Sequence, residues 1–180
     1  MARDIHAYVV DDTKVLAGIN FHKTTPEWRG AEVEALKKAP ELEHLLPEKV
    51  EWLIRGLLGE HEEWVFCERT DFESAMMALC ERHASKHWFT NAPWSFESDI
   101  DEMLGDAGLE LSYENLLGTD ISLATGEGDY VITAHTAKEV AGIAPQLKDL
   151  DFGDHGDFKD VASYFQEAAK AGRGLVLFIH

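Results

Sequence analysis

Apolar residues fall at helical spacing through most of this chain and at strand spacing near its two ends. Ile5 to Val10 is a β-rich run that predicts an opening strand. Asp11 and Asp12 stop it and can cap a short helix around Val15, Leu16 and Ile19. Thr24-Thr25-Pro26 opens a helix over Glu27 to Lys38, which Pro40 ends. Pro47 suits a first helical position, and Val50, Leu53, Ile54, Leu57 and Leu58 form one face up to Gly59. Trp64-Val65-Phe66 reads as a short strand or a packed loop. Thr70 and Glu73 fit a capping box. Behind them Phe72, Ala75, Met76, Leu79, Cys80 and His83 share a helical face, and that helix is expected to end near Lys86.

Trp88 to Pro93 reads as a loop bracketed by Trp88 and Trp94. Ile100, Met103 and Leu104 predict a short acidic helix stopped by Gly105, and Leu109 to Leu117 add a turn or two before Gly118. Short strands are expected at Ile121–Leu123 and Tyr130–Ile132, around a Gly126-Glu127-Gly128 turn. Thr136 and Glu139 form a second capping box, ahead of a helix through Val140 and Ile143. Asp157 is placed as the cap of a last helix with Val161, Tyr164, Phe165, Ala168 and Ala169 inward, ended by Gly172. Gly174 to Ile179 is an unbroken apolar run, as in a strand buried on both faces. The expected fold class is α+β: a helix-dominated single domain, residues 1–180, with a small sheet that includes the N- and C-terminal strands.

The closing segment Val161–Ile179 (VASYFQEAAKAGRGLVLFI) resembles the final helix–strand unit of the YfbM-like families of small bacterial proteins. The opening HAYVVDDTKVLAGI, and LLPEKVEWLIRGLL followed by FESAMMALCERHA, resemble the same group in the same order. These are helix-face patterns, not catalytic signatures. The resemblance implies a small α+β cytoplasmic domain of unassigned activity and carries no catalytic set over. The Trp88–Trp94 segment and the acidic stretch after it have no counterpart in that pattern.

Length and composition fit this picture. The 180 residues are 45% hydrophobic and 28% charged, ordinary for a globular chain. No apolar run reaches the ~18 residues of a transmembrane helix. Two cysteines, Cys67 and Cys80, make no disulfide scaffold, so reduced thiols and a cytoplasmic location are expected.

Charge changes the picture most. There are 34 Asp+Glu against 16 Lys+Arg, a formal net charge of −18. Such a field repels phosphate backbones, so nucleic acid is not an expected partner. It attracts basic proteins and speeds their encounter. Between Lys86 and Lys138 there is no Lys or Arg. Ten carboxylates occupy that interval: Glu97, Asp99, Asp101, Glu102, Asp106, Glu110, Glu114, Asp120, Glu127 and Asp129. Asp149, Asp151, Asp154, Asp157 and Asp160 form a second acidic segment. Spacing alone does not say whether the two segments share a face.

Candidate chemistry is sparse. His83 and His87 would share a face if the helix continued, but no third metal ligand is placed by spacing. Cys80 beside His83 has thiol–imidazole spacing, yet it lies in the apolar stripe. The run Asp151 to Asp157, with Asp154 and His155, alternates acids with glycines and could hold a hard cation or simply connect two helices. Gly126 to Asp129 lacks the Lys and the helix of a phosphate loop. No cofactor and no structural metal are expected. The preferred reading is a non-enzymatic acidic binding protein for a basic protein partner, such as an immunity-type inhibitor. Trp88 and Trp94 would anchor the contact while Asp99, Asp101, Glu102 and Asp106 steer it. The alternatives are an enzyme using His83, His87, Asp154 and His155, and a DNA mimic.

Overall fold

The computed structural model describes residues 2–16, 25–60, 68–93, 97–121, 131–152 and 156–180. They form an α+β fold with eight α-helices and one five-stranded sheet that includes the N- and C-terminal strands. The elements in order are β1 (Ala2–Val10), α1 (Asp12–Val15), α2 (Pro26–Leu36), a 3-10 turn (Pro40–Leu42), α3 (Pro47–Leu57) and α4 (Arg69–His83). Then follow β2 (Ala84–Pro93), α5 (Glu97–Asp106), α6 (Tyr113–Leu117), β3 (Thr119–Asp120), β4 (Val131–His135), α7 (Ala137–Leu147), α8 (Gly156–Ala171) and β5 (Gly174–Ile179). Among the described residues no helix is long and apolar enough to cross a membrane.

The described chain packs as two compact units. The first holds the sheet with α5 to α8. Its strand order is β2-β1-β5-β4-β3, so the apolar run of β5 sits in the middle. β5 pairs antiparallel with β1 (Ala7 opposite Leu177) and with β4 (Thr133 opposite Leu177). All six of its residues are buried, as a strand covered on both faces requires. One sheet face presents Ile5, Ala7, Val9, Leu175, Leu177 and Ile179 to a core completed by Val140, Ala144, Leu147, Val161, Phe165 and Ala168. Each helix contributes through positions three or four apart, which lie on one side of it. The second unit holds α1 to α4 and the 3-10 turn. It buries Val33, Leu36, Leu42, Val50, Leu53, Ile54, Leu57 and the stripe Phe72, Ala75, Met76, Leu79 and Cys80.

Among the described residues, side-chain caps open three of the helices. Thr25 caps α2, its hydroxyl accepting the Trp28 amide at 3.2 Å. The Thr136–Glu139 box closes as expected, the carboxylate accepting the Thr136 amide at 2.7 Å. A second box, Ser112 with Asn115, opens α6; Asn there takes the place of the usual Glu or Gln.

Several expectations are corrected. α4 starts at Arg69, after Glu68, so Thr70 lies inside its first turn and the Thr70–Glu73 box does not form its start. Asp11 precedes α1 but makes no cap; its carboxylate accepts the Thr13 hydroxyl at 2.6 Å instead. α5 runs through Gly105, and the left-handed turn comes at Gly108 (φ 72°). α8 begins at Gly156, which puts Asp157 inside the first turn. α2 ends at Leu36, two residues before the expected Lys38, and Pro40 opens the 3-10 turn.

The largest correction concerns residues 84–93. The α4 helix stops at His83, Ala84 is extended, and Ala84–Pro93 is strand β2 rather than helix end and loop. β2 alternates. Lys86, Trp88 and Thr90 face α8, where they meet Glu167, Tyr164 and Asp160. His87 and Phe89 lie on the opposite face, against Tyr8 and His6. Aromatic residues on both faces hide the period of two from a reading of polarity alone. Ile19, Trp64–Phe66, Ile121–Leu123 beyond Ile121, Gly126–Asp129 and Tyr130 lie outside the described residues.

Candidate functional site: an acidic groove

α5 and the connection from α7 to α8 flank a groove of about 650 Å³, lined by Glu102, Met103, Asp106, Ala107, Asp149, Leu150 and Asp151. Helical spacing produces one side. Glu102 and Asp106 are four apart, and so are Met103 and Ala107, so acids and apolar residues form adjoining rows. Met103 and Leu150 are half-buried on the core, while the four carboxylates are exposed. The two acidic segments of the sequence therefore meet, through Glu102 and Asp106 from one and Asp149 and Asp151 from the other. Among the described residues that line it there is no Lys or Arg; Lys148 precedes Asp149 and is not one of them. Four exposed carboxylates around an aliphatic floor suit a group with an apolar stem and a cationic head, as Lys and Arg side chains have.

The other proposed contact residues are placed as follows. Asp101 accepts the Tyr113 amide at 2.5 Å and so fixes the start of α6. Trp88 is half-buried, its ring stacked on Tyr164 with centroids 5.0 Å apart. Trp94 and the Asp99 side chain lie outside the described residues. The large aromatic that is exposed in β2 is Phe89, at 57%. Polarity patterning did not distinguish it from Trp88, although alternation along a strand would have.

The His83–His87 pairing is dissolved by the end of α4 at His83. His87 is on a strand, and its ring lies on Tyr8 at 4.1 Å and 8°. His83 Nε2 is 2.8 Å from Glu32, whose buried carboxylate also accepts two bonds from Arg82, at 2.8 and 3.2 Å. Burial alone would raise the Glu32 pKa; hydrogen bonds and charge from Arg82 and His83 more than offset this and hold it below its usual value. This trio was not anticipated, since Glu32 lies 50 and 51 positions from its partners.

Cys80 is fully buried, and burial pushes its thiol well above the usual range, with Glu81 adding to the effect. That is the opposite of an activated nucleophile. In the native protein Cys80 should therefore resist a thiol reagent that labels it on denaturation. Under non-reducing denaturing conditions two thiols per chain, Cys67 and Cys80, are expected. Rapid native labelling of Cys80, or no free thiol at all, would refute this. Gly153–His155, including Asp154 and His155, lie outside the described residues.

A second cleft of about 590 Å³ lies in the same unit, lined in part by Glu114, Thr119, His135, Glu139 and Ile143. His135 is buried, and its Nε2 is 3.1 Å from the Leu116 carbonyl, the geometry of a donated bond that leaves Nδ1 as the acceptor. Burial lowers its pKa, only partly countered by that carbonyl and Glu139, which favours the neutral imidazole. Among the described residues its lining includes no Ser, Cys or Lys, and Thr119 is the one hydroxyl there.

No family model, no curated protein and no solved structure matches this chain.

Proposed function

We propose that this protein is a non-enzymatic binding protein that recognises a basic protein partner through the groove of Glu102, Asp106, Asp149 and Asp151. The observation that supports the reading is the meeting of two acidic segments around Met103, Ala107 and Leu150, with no cation among the described lining residues. Like charges held together repel one another, which costs the isolated fold stability, and a partner carrying Lys or Arg relieves that repulsion on binding. An immunity-type inhibitor of a basic toxin fits this description, as does a cytoplasmic setting in which Cys80 stays reduced. Membership in a YfbM-like group remains part of the same proposal and rests on the sequence patterns alone. The cleft at His135 favours the enzymatic alternative, but among the described residues its lining sets no Ser, Cys or Lys beside the imidazole.

The test uses an oligo-arginine peptide as a defined basic probe. Neutralising the groove (Glu102→Gln, Asp106→Asn, Asp149→Asn, Asp151→Asn) should slow association about tenfold at low salt and have little effect at about 300 mM salt. Neutralising Glu27, Glu41, Glu43 and Glu48, outside the groove, should slow it much less. Equal effects from the two sets would mean that net charge alone attracts the probe. A salt-independent association rate would discard the reading altogether.

A further inference from the structure

We propose that His6 and His87 form a labile binding site for a borderline divalent metal ion, Cu²⁺ or Zn²⁺, on the neighbouring strands β1 and β2. The inference is independent of the acidic groove. His6 is on β1 and His87 on the neighbouring strand β2, and His6 Nδ1 stands 3.2 Å from His87 Nε2. Two imidazole nitrogens each about 2.0–2.1 Å from one ion, at tetrahedral or cis angles, are separated by about 3 Å. The two nitrogens now share a hydrogen bond, and an ion bound to both would displace its proton to solvent or to the other nitrogen of that ring, at a spacing that already suits chelation.

The rings are held in place. His87 lies flat on Tyr8, at 4.1 Å and 8°, and Tyr8 is fully buried. His6 is flanked by Phe89 at 5.0 Å and by the edge of His180 at 5.8 Å. Orientation fixed before binding removes part of the entropy cost of binding. The contact is solvent-exposed, so a hydrated ion can reach it. The net charge of −18 raises the local concentration of cations. Among the described residues no three His, Cys, Asp or Glu side chains are grouped to hold a metal ion. The site therefore has two protein ligands, with water in the other positions. That makes it exchangeable and not a requirement for folding. Imidazole is a borderline ligand, so the preference is Cu²⁺ over Zn²⁺, with Mg²⁺ excluded.

Titration calorimetry of the whole protein with Cu²⁺ and with Zn²⁺, in excess Mg²⁺ to occupy surface carboxylates, tests this. One equivalent should bind. His6→Gln or His87→Gln should each weaken binding at least about tenfold, the loss that even an outer-shell change brings to metal sites. His44→Gln, on the other unit, should leave it unchanged. His180→Gln separates a two-imidazole site, which it spares, from one in which His180 turns in as a third ligand, which it weakens. The Cu²⁺ paramagnetic resonance spectrum should show coupling to nitrogen, lost in the His6→Gln, His87→Gln double variant. The proposal is overturned if the double variant, folded by circular dichroism, binds Cu²⁺ as tightly as the parent, or if Mg²⁺ displaces the ion. Should the double variant fail to fold, the single His87→Gln variant decides, since His87 is exposed.

Discussion

Replacing Gly118 by alanine is expected to destabilise the protein by about 3 kcal/mol, the sum of a strained backbone and an overfilled contact. Gly118 has φ 91° and ψ −167°, a combination that is essentially reserved for glycine. A Cβ built there would stand 2.6 Å from His135 Nε2 and 2.8 Å from the Ala134 carbonyl oxygen. Neither neighbour can yield easily. The carbonyl belongs to β4, which is paired with β5, and Ala134 is opposite Val176. The imidazole is fixed by the Leu116 carbonyl and meets Phe165 edge-on at 4.9 Å. In a chain of this size the loss corresponds to a fall in Tm of about 6–12 °C. Gly142→Ala is the matching control. Gly142 is inside α7, and nothing lies within 4 Å of the added Cβ. That change should be neutral or stabilise by up to about 1 kcal/mol, since alanine is the better helix former. A Gly118→Ala protein as stable as the parent would show that the β3–β4 end of the sheet does not hold this geometry.

How far the sequence was legible follows from the range of each signal. β5, α3 and α7 were readable because the evidence for each is contained within a dozen residues: an unbroken apolar run, a Pro47 start with one apolar face, a closed Thr136–Glu139 box. β2 was not. Nothing between Arg82 and Lys86 breaks a helix, and Trp88 and Phe89 put aromatics on both faces of the strand. The Thr70–Glu73 spacing was correct for a box, but helix formation two residues earlier took Thr70 into the first turn. The groove was half legible. Its carboxylates stood out as two acidic segments, but only packing places Asp106 near Asp149. The His6–His87 pair joins residues 81 apart across two strands, a relation that no local pattern carries.

The same limit applies to Glu32, whose removal should have the second largest effect. At neutral pH its carboxylate accepts two bonds from Arg82 and stands 2.8 Å from His83 Nε2, with its side chain only 5% exposed. Glu32→Ala would leave the His83 N–H, 10% exposed, without its acceptor, whereas the Arg82 side chain, 43% exposed, can turn to water. The expected loss is therefore about 2 kcal/mol, below the ~3–5 kcal/mol seen when one partner of a fully buried pair is removed. Glu32→Gln keeps the shape and one acceptor, and should lose about half as much. The pH dependence separates charge from packing. The folded pKa of Glu32 is lowered from 4.5, so its contribution is fully present above that value and is lost as pH falls through the folded pKa. Denaturant unfolding of the parent and of Glu32→Gln should differ most near neutrality, with the gap closing as pH falls below about 4.5. Taking the difference between the two proteins cancels the relief of general acidic repulsion, which both share. A gap that stays constant over that range would mean that Glu32 acts by filling space, and that the Arg82 and His83 bonds contribute nothing as charged contacts.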